Sequence, residues 1–88
     1  MSNGMTRVPE DAERVVREIL AEITLNEGCL QHAREAPLEA TGIDSVGMID
    51  LVYELEDRLS IEIRDDEVAP ENFASIGSLA ALVARKWR

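Results

Sequence analysis

Apolar residues recur three and four residues apart in the first part of the chain, which is the spacing of one face of an α-helix. These residues are Val8, Val15, Val16, Ile19, Leu20 and Ile23. Pro9 suits the first turn of a helix, and the acidic residues Glu10 and Asp11 suit its positively polarised end. The pattern predicts a first helix from about Pro9 to Thr24.

A long stretch from Leu25 to Asp44 interrupts this periodicity with turn-forming residues. A loop of this length in a small domain is usually functional or contains a helical turn of its own. We expect the segment from Gln31 to Glu35 to supply such a turn. Leu30 and Leu38 are the residues expected to hold the loop against the core.

Helical spacing returns after Asp44 and predicts a second helix from about Ser45 to Leu59, which Ser60 ends. Its inward stripe consists of Leu51, Val52, Leu55 and Leu59, with Ile49 at the border. A different, mostly acidic face of the same helix carries Val46, Asp50, Tyr53, Glu54 and Asp57.

The last part of the chain predicts two further helical segments. Ile61-Glu62-Ile63 alternates like a strand but has no partner strand, so we interpret it as an extended connector. Asp65 to Asn72 predicts a short third helix, which Pro70 weakens, and Ser75 is a good N-cap for a last helix. The apolar face of that helix is Ile76, Leu79, Ala80, Leu82 and Val83. The predicted fold is all-α, a small four-helix bundle of three longer helices and a short third one, with the long loop between helices 1 and 2.

The length and net charge of the chain limit the number of domains and the class of partner. The 88 residues allow one domain, with residues 1–5 expected as a flexible tail and residues 6–88 as the domain. The 18 acidic and 9 basic residues give a formal net charge of -9, which argues against a nucleic acid partner and favours partner proteins with basic surfaces. We hypothesise that divalent cations relieve repulsion within the acidic stretch from Pro37 to Glu71.

The remaining reactive residues do not form a recognisable site. The single cysteine, Cys29, cannot form an internal disulfide, and with the neighbouring His32 it falls short of the about four ligands of a structural metal site. Asp65-Asp66-Glu67 lacks the spacing and the glycine of a calcium-binding loop. No secretory signal and no apolar run of roughly 18 residues is evident. We therefore expect a cytoplasmic monomer with no membrane insertion, no metal site and no catalytic residues.

One motif carries a candidate chemistry. The run Gly42-Ile43-Asp44-Ser45-Val46 places a hydroxyl at the start of the second helix, where unpaired N–H groups and the helix dipole favour an anion. A serine or aspartate there is most often only a helix cap. The run nevertheless resembles the prosthetic-group attachment motif of the acyl carrier protein family. The resemblance extends from Val8 to Val83 and includes Pro37-Leu38-Glu39, residues 51–56, Ile61-Glu62-Ile63, Phe73 and the last helix.

The resemblance implies that Ser45 receives 4'-phosphopantetheine from coenzyme A through a phosphodiester bond, and that the terminal thiol of the arm holds an acyl group as a thioester. Gly42, Asp44 and Val46 complete the motif, with Gly42 allowing a sharp turn into the helix. A carrier of this kind is not an enzyme. Its implied partners are a phosphopantetheinyl transferase and acyl- or aminoacyl-loading ligases and synthases with basic docking surfaces, in fatty acid, lipid or specialised, polyketide-like biosynthesis.

By the same resemblance, partner enzymes recognise the second helix through Val46, Asp50, Tyr53, Glu54 and Asp57. Three residues depart from the common family pattern. Val46 stands where leucine is more usual. Gly47 stands where an acidic residue is common, and we interpret it as the loss of one recognition charge, at a cost to the helix of roughly 1 kcal/mol relative to alanine. Arg64 stands where proline is frequent. These departures favour partners from a specialised pathway.

Two alternatives stay open. The segment from Asn72 to Ile76 also resembles discrete carriers that hold amino acids, so the cargo could be aminoacyl. A different class is an unmodified acidic helical adaptor that keeps the docking helix but carries no cargo. If the cargo is a fatty acyl chain, we hypothesise that it enters between the second and third helices, near Leu51, Leu55, Ile61 and Phe73.

Overall fold

The computed structural model of the chain describes residues 9–87, which fold into three α-helices joined by irregular segments. Helix α1 is Pro9–Thr24, α2 is Ser45–Leu59 and α3 is Ile76–Lys86. The bounds of α1 and α2 coincide with the predicted ones, and Ser75 caps α3 as predicted. The predicted tail of residues 1–5, and Val8, lie outside the described residues.

Helix α1 buries the face that its apolar spacing predicts. Ala12, Val16, Ile19 and Leu20 are completely buried. The helix ends at Leu25, whose φ of 56° is left-handed, and the N–H of Asn26 donates to the carbonyl of Ala21 at 3.1 Å. This is the hydrogen-bond pattern of a Schellman C-cap, a place that glycine usually takes.

The long loop contains two 3₁₀ turns, Glu27–Leu30 and Leu38–Thr41. The predicted turn at Gln31 to Glu35 was therefore misplaced. The first turn forms earlier because the Asn26 side chain caps it by accepting from the N–H of Gly28 at 2.9 Å. Arg17 of α1 then holds the following backbone by donating to the carbonyls of Cys29 and His32.

One of the two leucines expected to hold the loop against the core does so. Leu38 is buried, as predicted, but Leu30 is 48% exposed and the prediction for it was wrong. Cys29, one residue earlier, occupies the core position instead. The end of the loop is joined to the start of α3, because the N–H of Gly77 donates to the carbonyl of Arg34 at 2.7 Å.

The predicted short helix from Asp65 to Asn72 is a 3₁₀ turn of three residues, Asp65–Glu67. The segment cannot continue as a helix because Pro70 disfavours the helical conformation of the residue before it. Of the four helices predicted, the part of the chain between residues 9 and 87 thus forms three α-helices.

The three helices share one aliphatic core. Helix α1 packs against both α2 and α3. The buried core residues are Ala12, Val16, Ile19, Leu20, Cys29, Leu38, Ile43, Leu51, Leu55, Ile63, Ile76, Leu79, Leu82 and Val83. Phe73 and Trp87 are partly buried against it. The core therefore fixes the start of α2 from two sides, through Ile43 before the helix and Leu51 within it.

Candidate functional site

Asp44 caps the start of α2. Its backbone is extended, with φ of -105°, and its Oδ1 accepts a hydrogen bond from the N–H of Gly47 at 2.7 Å. The carbonyl of Asp44 accepts the first bond of the helix, from the N–H of Met48 at 2.9 Å. Asp44 is thus an N-cap residue in side chain and backbone alike, and Ser45 is the first residue of the helix proper.

Ser45 is exposed, and its hydroxyl makes no hydrogen bond to any residue between 9 and 87. The contrast with Ser75 is direct. The Oγ of Ser75 accepts from the N–H of Ser78 at 3.1 Å, and so caps α3. Because Asp44 takes the capping role at α2, the hydroxyl of Ser45 is left facing solvent and is available for reaction.

Gly42 makes the turn that delivers Asp44 and Ser45 to this position. Its φ is 90°, a left-handed conformation that side-chain-bearing residues rarely adopt. Its N–H donates to the carbonyl of Glu39 at 3.0 Å, which closes the preceding 3₁₀ turn. The predicted role of Gly42 as a sharp turn into the helix is confirmed by this geometry.

Gly47 is a packing position. It is buried, and a Cβ built on it would lie 2.8 Å from Cγ1 of Ile43 and 3.2 Å from Cγ2 of Ile23 in α1. The same Cβ would lie 3.2 Å from Oδ1 of Asp44, the capping atom. A side chain at position 47 would therefore crowd the contact between α1 and α2. The interpretation of Gly47 as the loss of one recognition charge stays a prediction.

The structure brings the five predicted recognition residues together along the exposed side of α2, although their charges are not equivalent. Val46 and Tyr53 are 68% and 63% exposed, and Asp50 and Asp57 are exposed as well. Glu54 is half-buried and pairs with Arg58 at 2.9 Å. Its charge is therefore partly compensated.

Arg58 connects this helix to α1. Its guanidinium pairs with Glu22 of α1 as well as with Glu54. The hydrogen bond from Arg58 lowers the pKa of Glu22 below its ordinary value, and the same contact, with that to Glu54, raises the pKa of Arg58. Among the five recognition residues, the acidic side chains without an ion pair to a described residue are thus Asp50 and Asp57.

An apolar groove of about 310 Å³ opens beside the recognition residues, between α2 and the segment that follows it. It is lined by Met48, Ile49, Val52, Tyr53, Glu56, Ile63, Asp65 and Val68. Oε2 of Glu56 accepts from the N–H of Ile63 at 2.8 Å and holds the connector against α2. Met48, Ile63 and Val68 were not identified from the sequence as members of a site, although the Met48–Val52 spacing of four residues was a readable signal.

The groove lies between α2 and the segment that contains the third helical turn, where the acyl chain was expected, but its lining differs from the residues named in that hypothesis. Leu51 and Leu55 are completely buried in the core and do not line it. Ile61 and Phe73 are partly buried against the core and are likewise outside the groove lining.

The other reactive residues lie apart from this site. Cys29 is buried and free, and its Sγ lies 3.5 Å from the hydroxyl of Thr24. Among the residues described, no group of three or more His, Cys, Asp or Glu side chains is placed to hold a metal ion. Within residues 9–87, no helix is both long and apolar enough to cross a membrane.

The sequence profile of the phosphopantetheine attachment site family matches residues 14–83 of this chain. No curated protein sequence matches it. The matched span covers most of α1, all of α2, the groove and most of α3, with the exposed hydroxyl and its capping aspartate inside it. The chain therefore belongs to the phosphopantetheine attachment site family, the non-catalytic carrier proteins that bear covalent 4'-phosphopantetheine and work with phosphopantetheinyl transferases.

Proposed function

We propose that Ser45 is the attachment residue, and that this protein is an acyl carrier protein that presents acyl groups to partner enzymes. The observation that supports the proposal best is the exposed hydroxyl of Ser45, free of hydrogen bonds to the described residues, next to a helix cap supplied by Asp44. The attached group supplies a terminal thiol, which holds the cargo as a thioester.

The start of α2 suits a phosphodiester on Ser45. The first N–H groups of an α-helix have no partner within the helix, and the N-terminal end is positively polarised. Asp44 occupies the N–H of Gly47, which leaves the N–H groups of Ser45 and Val46 for the anion. Asp44 also fixes the first turn, so that Ser45 is held at one place on the surface for a transferase to reach.

The attachment residue is tested by intact mass after incubation with coenzyme A and a broad-specificity phosphopantetheinyl transferase. We expect the chain to gain the mass of one phosphopantetheine group and Ser45→Ala to gain none while keeping its helical circular dichroism. Ser60→Gly is the matched control, because Ser60 is an exposed serine at the other end of the same helix. Full loading of Ser45→Ala would refute the assignment. No loading of the native chain by several transferases would favour the acidic adaptor.

For the cargo, the groove beside α2 favours an acyl chain. Its apolar lining includes Met48, Val52 and Ile63. Burying a chain against such surface is favourable by roughly 0.8 kcal/mol for each methylene removed from water. We expect the amide resonances of Met48 and Val52 to differ between the unacylated form and a form loaded with a long acyl chain. Resonances identical in the two forms would contradict groove binding without affecting the attachment at Ser45.

An aminoacyl cargo is the second candidate, and one observation favours it. Glu56 and Asp65 place carboxylates at the same groove, where they could pair with the ammonium group of an amino acid. Glu56 is already committed to the N–H of Ile63, which leaves Asp65 as the freer group. Mass spectrometry of the loaded protein isolated from its native host distinguishes the two cargoes, and it also indicates whether the pathway makes fatty acids, lipids or specialised polyketide-like products.

For partner recognition, we assign Val46 and Tyr53 as apolar contacts and Asp50, Asp57 and Glu54 as partners of Arg or Lys on the transferase, ligase or synthase. Such contacts give association that weakens with salt. We expect Asp50→Asn to slow loading of Ser45 several-fold at low salt, whereas Glu71→Gln, an exposed acid outside α2, leaves the rate unchanged. Equal rates for both variants would remove Asp50 from the recognition surface.

The compartment we propose is the cytoplasm. The free and buried state of the lone Cys29 is in keeping with a reducing environment.

A further inference from the structure

A second exposed apolar surface lies on the α1 side of the molecule, formed by different residues from those of the α2 groove. Leu25 is 90% exposed and Leu30 is 48% exposed. Together with Ala21 they line a depression of about 410 Å³, which we call the α1-end surface, and whose other lining residues are Glu18, Glu22 and Glu27. None of these residues lines the α2 groove.

Leu25 gains nothing for the fold from its position. Its φ of 56° lies in the left-handed region, which is unfavourable for a bulky side chain and is usually taken by glycine or asparagine at the end of a helix. Its side chain is almost fully in water, so no burial offsets this cost. The equivalent residue at the end of α2, Ser60, also has a left-handed φ of 54° but is polar.

The rim of the α1-end surface is negatively charged. Glu22 is paired with Arg58. Glu18 and Glu27 form no ion pair with any residue in the described range 9–87. Two leucines inside such a rim are complementary to an apolar side chain flanked by Lys or Arg. The rim disfavours a second copy of the same surface, because the carboxylates of the two copies would repel each other.

We infer that the α1-end surface is a second docking site, which binds a partner protein through a basic amphipathic helix whose apolar face contacts Leu25 and Leu30. The two leucines supply the apolar area that is buried on binding. Glu18 and Glu27 fix the position of the partner helix and make its binding depend on salt. Neither Ser45 nor any recognition residue of α2 lines this site, although Glu22 of the site and Glu54 of α2 pair with the same Arg58.

The probe for the test is a synthetic amphipathic helical peptide of leucine and lysine, titrated into the full ¹⁵N-labelled chain at low salt. We expect the largest amide shift changes at Ala21, Leu25 and Leu30. Leu25→Gly should weaken this binding about tenfold, as expected for the loss of one buried leucine contact. A peptide with glutamate in place of lysine should not bind.

Leu25→Gly also tests whether a loss of binding reflects damage to the fold. Because glycine relieves the left-handed strain, this variant should melt at the same temperature as the native chain or higher. Ser60→Gly relieves the same strain at the end of α2 and should leave peptide affinity unchanged. Shift changes confined to the α2 surface, or equal affinity for Leu25→Gly and the native chain, would overturn the inference. So would self-association through Leu25 in the absence of peptide, since the occupant would then be a second copy.

Discussion

Gly47→Ala tests the packing at the start of α2, because two physical effects predict opposite outcomes for it. In an exposed helix interior, alanine is more favourable than glycine by about 1 kcal/mol. At Gly47, however, the added Cβ would lie 2.8 Å from Cγ1 of Ile43, closer than real Cβ contacts. The same atom would crowd Ile23 of α1 and Oδ1 of Asp44, each at 3.2 Å. The structure therefore predicts that alanine destabilises the protein here.

The size of the loss follows from the groups that must move. Overpacking a filled core costs about 1–3 kcal/mol, since Ile43 is nearly buried and cannot swing into solvent. Displacing Asp44 from the N–H of Gly47 weakens a cap that is worth about 1 kcal/mol. After the helix-propensity gain of about 1 kcal/mol is subtracted, Gly47→Ala should lower the free energy of unfolding by about 1–3 kcal/mol. For a domain of this size, the midpoint of thermal unfolding should fall by at least about 4 °C.

The assay is thermal and urea unfolding followed by circular dichroism. Ala81→Gly is the calibrating variant, because Ala81 is exposed in the middle of α3 and reports the alanine–glycine difference without a packing contact. We expect glycine to be the less stable residue at 81 and the more stable one at 47. A Gly47→Ala variant that unfolds at a higher temperature than the native chain would refute the packing argument.

Three further predictions follow from the helix ends and the ion pairs. Asp44→Ala should cost about 1 kcal/mol in urea unfolding, and Asp44→Asn, which keeps a capping oxygen, should recover most of it. Ser60→Gly should raise the free energy of unfolding by about 1 kcal/mol, because φ of 54° favours glycine. The pKa of Glu67 is lowered from its ordinary 4.5 by the N–H of Arg64 and then by the ammonium of Lys86. The contribution of the Glu67 carboxylate to the free energy of unfolding is therefore complete above pH 4.5 and is lost as the pH falls through the lowered pKa. Glu67→Gln should accordingly make the free energy of unfolding fall less steeply at acid pH. An unchanged fall would contradict this.

The bounds of α1 and α2, which a strong apolar pattern defines, were predictable from the sequence to the residue, and so was the N-cap of α3. Pro9 suits the first turn of α1 through its own backbone preference, which needs no tertiary contact. The turns of the long loop were not predictable in the same way. The first of them has a local cap in Asn26, but it is also held by Arg17, which reaches from α1 to two loop carbonyls, and that contact exists only in the folded chain.

The residues of the candidate site were likewise predictable where their position depends on local sequence, and were not where it depends on distant contacts. Asp44 as the helix cap and Ser45 as the exposed hydroxyl beside it were identified from a local motif, because both features follow from adjacent positions at a helix start. The close packing around Gly47 was not predictable, because it depends on Ile23, which is distant along the chain and lies in another helix. The α2 groove was missed because Met48 and Ile63 meet only where the connector folds back along α2.

The availability of Ser45 depends on its neighbour as much as on its own exposure. A serine that caps a helix has its hydroxyl engaged, as Ser75 shows with the N–H of Ser78. Asp44 takes the N–H of Gly47 and so removes the donor that would otherwise attract a nearby side-chain oxygen. The missing Cβ of Gly47 in turn lets Asp44 approach to 2.7 Å, because a larger residue would crowd its carboxylate. The free hydroxyl is thus a property of the three residues together, and a change at position 47 should affect loading of Ser45 through Asp44 without touching the serine.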